Sequence, residues 1–298
     1  MRVVVTGSSG LIGRALVARL TADGHRVCVL VRRSPGPGEA RWDPGQGQID
    51  ADVFDGAEAV VHLAGAGIGD KRWTTARKDI ILRSRVDSTA LLCRWLAGLD
   101  RRPSVVVSAS AIGYYGDRGD EELTERSGPG TGFQVEVCRR WEEATAPAEA
   151  AGIRVVHLRS AVVLARHGGA LGRQLPLFRA GLGATLGSGR QWLSWISLRD
   201  EVGAIVHAMA DTSLVGPLNA SAPTPVTNRE FTKELGRALH RPAVLGAPPF
   251  ALRLALGRQL VDELLLGSLR VVPARLADAG YTFDDPALEG ALRQTLGT

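Results

Sequence analysis

The sequence predicts an α/β fold, a Rossmann-type doubly wound parallel sheet with a smaller C-terminal α+β substrate lobe. Three observations predict it: short apolar runs that alternate with stretches of helical spacing, glycine-rich turns where those runs end, and a change of texture after about residue 165. The first run is Arg2-Val3-Val4-Val5-Thr6, followed by Gly7-Ser8-Ser9-Gly10-Leu11-Ile12-Gly13. Gly7 suits a tight strand-to-helix turn, and Gly10 lets backbone amides approach a pyrophosphate with no Cβ in the way. Gly13 lets the helix pack closely on the sheet with its positive end towards the phosphates. The helix repeats apolar residues at Ile12, Leu16 and Leu20 and stops at Asp23-Gly24. A second strand over residues 27–31 completes a βαβ unit. Dinucleotide binding follows, with Gly7, Ser9, Gly10, Leu11, Ile12 and Gly13 as expected cofactor-binding residues.

The end of the second strand selects the dinucleotide. An NAD-type site places Asp or Glu there to hold the ribose 2′-hydroxyl. This chain has Arg32-Arg33. A carboxylate repels a 2′-phosphate, whereas guanidinium groups pair with it through charge-assisted hydrogen bonds. NADP(H) is therefore expected over NAD(H), with Arg32 and Arg33 at the phosphate. The competing reading is two arginines solvating a strand end in an arginine-rich chain.

The alternation then continues. Residues 59–63 form an apolar strand running into Ala64-Gly65-Ala66-Gly67, small residues that leave room for a cofactor at the strand's carboxyl end. Residues 74–97 have helical spacing, 104–108 read as a buried strand, 133–151 as an amphipathic helix ended by Gly152, and 154–164 as a further strand. Beyond residue 165, Gly168-Gly169 and residues 181–190 read as loops able to close over a ligand. A helix near 201–210 and a short strand at 217–220 are expected to return to the main sheet. Thr227 and Glu230 form a capping box opening a helix to about Leu239, and the remainder reads as mainly helical, broken at Pro248-Pro249 and Pro273. The expected division is a cofactor domain over 1–165, to which about 191–220 returns, and a substrate lobe with a helical C-terminal region over 166–298.

Composition excludes several classes. The net charge of +5 is carried almost wholly by arginine, since Lys71, Lys78 and Lys233 are the only lysines. No basic tract is interleaved with aromatics, so no nucleic-acid partner is expected. Cys28, Cys93 and Cys138 lie far apart without metal-ligand spacing and read as reduced thiols; no metal is expected. No run approaches the ~20 apolar residues of a membrane helix. The expected location is the cytoplasm. No motif encodes the oligomeric state or the substrate.

The residues resemble a known family. Gly7 to Gly13, His62-Leu63-Ala64-Gly65 and Ser108-Ala109-Ser110 match, in order, the landmarks of extended short-chain dehydrogenase/reductases of the nucleotide-sugar epimerase type. The segments from Trp73 to Ser84-Arg85, Ser110 to Gly116, Gly187 to Trp192 and Arg270 to Leu276 are similar to a narrower epimerase-family subgroup with an uncharacterised C-terminal domain. The resemblance runs essentially end to end. It implies a bound NADP, a small substrate lobe, and cofactor contacts at Leu63, Ala64, Gly65, Arg85, Ser108 and Val162. Arg85 stands where relatives commonly carry Asn; its other reading is a solvated helix arginine.

Such relatives use a Ser, a Tyr and a Lys four residues after the Tyr, the lysine lowering the pKa of the phenol. Ser110 fits the serine. The helix that should supply the other two reads Phe133-Gln134-Val135-Glu136-Val137-Cys138, with neither Tyr nor Lys. Tyr114 and Tyr115 either place a phenol over the cofactor or pack their loop; Ser110 and Tyr114 are the candidate catalytic pair. His62 reads as a core histidine, Glu136 and Glu142 as solvent-facing helix residues, and Trp192 and Trp195 as a half-buried aromatic pair or a ligand stack. Two functions follow: an NADP(H)-dependent oxidoreductase or epimerase-like enzyme on a small carbonyl or hydroxyl substrate, or an NADPH-binding sensor that has lost catalysis.

Overall fold

A computed structural model describes residues 1–297 (the Ala51 side chain apart). Its centre is an eight-stranded sheet. The strands are β1 (Arg2–Thr6), β2 (Arg26–Val31), β3 (Glu39–Asp43), β4 (Gln48–Ile49), β5 (Ala59–His62), β6 (Val105–Ala111), β7 (Arg154–Ser160) and β8 (Gly216–Ala220). They lie in the order β8-β7-β6-β5-β1-β2-β3-β4, parallel except for the edge hairpin strand β4. The chain runs outward from β1 through β2 to β3, then returns to the other side of β1 through β5. That reversal is the switch point at which open α/β sheets hold ligands.

Both faces are buried, so the strands are apolar at nearly every position. Val3, Val5, Ala59, Val61, Val105 and Val107 face one core, with Leu16 and Leu20 of helix α1 (Leu11–Ala22) and Val202 and Ile205 of the helix Leu198–Ala210. Val4, Val60, Val106 and Val155 face the other, with Leu92 and Leu96 of helix α2 (Thr75–Ala97). Successive residues of each strand serve opposite layers, as the pleat requires.

Three elements differ from the sequence expectation. The hairpin β3–β4 carries only Ala40, Trp42 and Ile49 as buried apolar residues, too few to stand out beside its charged alternates. The helix expected over 133–151 divides into α3 (Phe133–Glu143) and Ala146–Ala150. Pro147 lacks the amide that would reach residue 143, and the Thr145 hydroxyl instead donates to the Glu142 carbonyl at 2.7 Å. The strand expected over 154–164 changes partner midway: Ala161 N donates to Ala220 O, but Val162 N donates to Ser194 O. Val162–Leu164 thereby leaves the main sheet and pairs with Trp195–Ser197.

The lobe has its own core of Leu171, Phe178, Trp195, Phe231, Leu235 and Leu292. The capping box at Thr227 and Glu230 forms and opens the helix Asn228–Ala238. A further apolar cluster of Trp73, Ile81, Val137, Leu260 and Val261 seats the segment Pro249–Leu265 against α2 and α3. Among the described residues no helix is long and apolar enough to cross a membrane.

Candidate functional site

The crevice begins at the glycine turn. Gly7 has φ +70°, and a Cβ there would lie 2.6 Å from the Leu63 carbonyl carbon, so β1 and β5 approach as closely as backbone allows. A Cβ on Gly13 would collide with Gly7 O, which fixes the packing of α1 on the turn. Gly10, the residue before α1, has no side chain to cap the helix, and no acidic residue stands in its first turn. Among the described residues no side chain caps the leading amides of α1, an arrangement that suits an anion. Ser9 and Gly10 are exposed and Leu11 and Ile12 half-buried at this mouth, with Leu63, Ala64 and Gly65 opposite at the end of β5. Val162 is half-buried where the chain leaves β7.

At the end of β2 the two arginines part company. Arg33 is forked onto Glu39, both Nη atoms 2.6 Å from its carboxylate oxygens. The Arg33 hydrogen bonds, with help from Gly36 N, hold the Glu39 carboxyl below its usual range. Arg33 is thus not the free second cation its position suggested. Arg32 is exposed and makes no ion pair or side-chain hydrogen bond among the described residues.

Two polar rows cross the sheet near its carboxyl end. In the deeper, Thr6, His62, Ser108 and His157 stand side by side on adjacent strands. His62 is fully buried, its Nδ1 2.8 Å from Thr6 Oγ1, and burial pushes its pKa down to about 4. It is a core histidine, as expected. Ser108 is only 1% exposed, so its side chain belongs to this row rather than to the crevice.

The outer row is Ser110, Arg159 and Asn219. Arg159 grips Glu142 of α3 through Nε and Nη2, both at 2.8 Å. Its Nη1 donates to Tyr115 Oη at 3.0 Å, and that hydroxyl donates to Asn219 Oδ1 at 2.7 Å. Burial alone would depress the Arg159 pKa, but the hydrogen bonds and charge of Glu142 outweigh it and raise the value. Ser110 Oγ donates to Glu142 Oε1 at 2.6 Å. Two expectations change here. Glu142 is not solvent-facing: its side chain is 11% exposed and anchors the network, whereas Glu136 does face solvent. Ser110 has its proton committed, so it can accept from a ligand hydroxyl but not donate to a carbonyl.

Tyr114 lies half-buried beside this network with the Arg159 guanidinium 3.5 Å from its ring centre and Tyr115 edge-on at 5.4 Å. The ring is packed, and its hydroxyl makes no hydrogen bond among the described residues. Tyr115 is the fully buried partner.

On α3 the expected Tyr and Lys are replaced by committed groups. Gln134 donates through its backbone N to Glu263 Oε2 at 3.0 Å and through Nε2 to Glu263 O at 2.9 Å. Glu263 belongs to the π-helical turn Val261–Leu265 and caps α3 from outside, because Gly132 at its start offers no side chain. The Cys138 thiol is pushed up to about 12, by burial and then by Glu142. Arg85 of α2 reaches across to Gly65 and over the Trp141 ring, 4.9 Å away. Trp192 and Trp195 do not stack as a pair: Trp192 lies under Arg270, and Trp195 is fully buried with Nε1 on Thr224 O.

Sequence reasoning missed one further group. On the opposite face of the sheet Glu201 is completely buried; Oε1 accepts from Ser160 Oγ at 2.6 Å, and Oε2 has no partner among the described residues. Burial raises its pKa to about 7. Among the described residues no group of His, Cys, Asp and Glu is placed to hold a metal.

Residues 3–218 match the NAD dependent epimerase/dehydratase family, and residues 247–295 match a domain of unknown function, DUF1731. An epimerase family protein of Mycobacterium leprae is 44% identical over 97% of this chain and 94% of its own length. The crystal structure of human epimerase family protein SDR39U1 (isoform 2) with NADPH superposes with a TM-score of 0.92 at 35% identity, covering both chains fully. A nucleoside-diphosphate sugar epimerase from Corynebacterium glutamicum gives 0.82 at 39% identity; this chain matches 58% of its length.

Proposed function

The chain belongs to the NAD dependent epimerase/dehydratase family, and from that premise we propose that it binds NADP(H) at the crevice and reduces a small carbonyl substrate, with Tyr114 as proton donor. The observation that carries the reading is the uncapped start of α1 against the Cβ-free Gly7 and Gly10, with Arg32 at the end of β2 making no ion pair among the described residues. An anionic dinucleotide with a 2′-phosphate satisfies all three. The human relative crystallised with NADPH supports the choice of cofactor. The name of the Corynebacterium relative supports a nucleotide-sugar-like substrate.

When bound, NADPH supplies a hydride to a carbonyl carbon. The chain's own residues do the rest. The phosphate turn and Arg32 bind the cofactor. Ser110, its proton held by Glu142, offers lone pairs to a substrate hydroxyl and orients it. Tyr114 gives its proton to the forming alkoxide and regains one from water. Arg159 on its ring face keeps the phenol in place.

Two results test this. Arg32→Ala weakens NADPH about tenfold to a hundredfold, the loss of a charge-assisted contact of ~1.5–3 kcal/mol, while NADH affinity hardly moves. Calorimetry showing equal affinity for NADPH and NADH in the unmodified chain sinks the assignment. Tyr114→Phe lowers the rate of NADPH consumption with a carbonyl substrate and leaves NADPH affinity unchanged; a rate indifferent to it removes Tyr114 from the mechanism. The second reading, an NADPH-binding sensor without turnover, is favoured by α3, which carries neither Tyr nor Lys over residues 133–138 and whose Gln134 and Cys138 are tied into the fold. Absence of NADPH consumption across a broad carbonyl panel selects it.

A further inference from the structure

The helix Asn228–Ala238 ends in a groove of about 670 Å³ whose lining includes Lys233, Arg237, His240, Arg241, Pro242 and Val244. Of its cations only Arg237 finds a carboxylate, 2.6 Å away on Glu234. Arg241 has backbone carbonyls for partners, Arg179 O and His240 O. Lys233 is exposed and makes no ion pair or side-chain hydrogen bond among the described residues. Positive charge does answer the carbonyl end of a helix, but that effect fades within the last turn, and Lys233 stands before it. The turn itself carries a second sign. Arg241 N donates to Gly236 O and His240 N to Arg237 O, which puts His240 in the left-handed region at φ +50°. Glycine is the easy residue at that place. Among the described residues His240 is the only non-glycine residue with positive φ, so strain is accepted where an imidazole borders the groove.

Beyond the groove the chain enters the strand Leu245–Ala247, which pairs in parallel with Ala184–Leu186 and with no other strand among the described residues. Gly187 N donates to Ala247 O at 2.9 Å, so Ala247 turns its polar groups towards the partner strand. Backbone groups alternate in direction along a strand, and Gly246 therefore turns its amide and carbonyl outward, where neither is paired among the described residues. The partner strand shields its own outer edge: Leu186 N donates to Asn228 Oδ1 at 2.8 Å. Leu182 and Val244, which lead into the two strands, are 54% and 87% exposed.

We propose that the groove and this strand edge together dock an acidic, extended segment of another protein. The segment adds a strand beside Leu245–Ala247 and lays its carboxylates on Lys233 and Arg241. The free edge selects a peptide over a lipid surface, which has no strand to offer. The groove lining has no Phe, Tyr or Trp ring on which a nucleobase would stack. A second copy of the chain, with a net charge of +5, brings the same cations to the same place and is repelled.

A library of degenerate octapeptides, bound to the full chain and sequenced, is the test. Asp and Glu are expected to be enriched among the retained peptides, and the tightest of them is labelled for fluorescence anisotropy. Lys233→Glu weakens that peptide about tenfold. Gly246→Pro weakens it by a similar factor, because it removes the outward amide and leaves the bonds to Ala184–Leu186 in place. An unchanged denaturation midpoint shows that each variant keeps its fold. No enrichment of acidic residues overturns the proposal, as does an acidic peptide indifferent to Gly246→Pro, which would be held by diffuse charge alone. Binding to phosphatidylserine vesicles or self-association, with no peptide selected, overturns it as well. If Gly246→Pro does not fold, hydrogen exchange decides: the Gly246 amide is slowed by the bound peptide, and an unchanged rate overturns the added strand.

Discussion

Arg159→Ala is expected to lower the free energy of unfolding by about 3–5 kcal/mol, the usual consequence of leaving one partner of a buried ion pair alone. The side chains of Arg159 and Glu142 are 4% and 11% exposed, and they share two hydrogen bonds. Removing the guanidinium strands the carboxylate, releases Tyr115 Oη from one donor, and uncovers the Tyr114 ring. Chemical denaturation measures the loss directly. Adding Glu142→Gln to Arg159→Ala should recover part of it, because the buried charge is then gone. A loss below about 1 kcal/mol, typical of an exposed pair, would show that the network opens to water.

The second large effect concerns pH. Glu201 has its folded pKa raised from 4.5 to about 7 by burial. The folded chain keeps a proton that the unfolded chain releases, so the stability present below pH 4.5 is lost as pH rises through 7, by about 3 kcal/mol in full. His62 does the reverse. Burial lowers its value from 6.5 to about 4, so its contribution is present above pH 6.5 and lost as pH falls through 4. Between pH 4.5 and 6.5 the two slopes oppose each other, and their sum is nearly flat. Glu201→Gln removes one of them. The stability of the variant relative to the parent should therefore climb by about 3 kcal/mol from pH 4.5 to pH 8, whatever constant cost the amide brings. A difference that does not change with pH would mean that Glu201 is hydrated in the folded protein.

The βαβ unit was legible because its signals agree: a β-branched run, glycines at the three positions where a Cβ collides or hinders, and a helical stripe at Ile12, Leu16 and Leu20. The outer polar row was half legible. Ser110 was found from its place at a strand end, but its partner Glu142 was set aside as a surface residue. Two signals pointed the other way. Glu142 stands four residues after Cys138 and seven after Val135, on the buried stripe of α3. Arg159 sits inside an apolar strand, where a charge needs a partner. The pairing of Arg33 with Glu39 was not legible, because Glu39 belongs to a strand with too few apolar residues to be seen. Likewise, nothing local to Gln134 announces its bonds to Glu263, which lies 129 residues further on.

That distant contact sets an order on the making of the protein. During synthesis α3 leaves the ribosome long before Glu263 is added, and until then the leading amides of α3 lack the carboxylate that meets them. Val137 and Ile81 face an apolar seat that Leu260 and Val261 have yet to fill. The nascent sheet therefore emerges with one flank open and is closed only once residues 260–263 have been made.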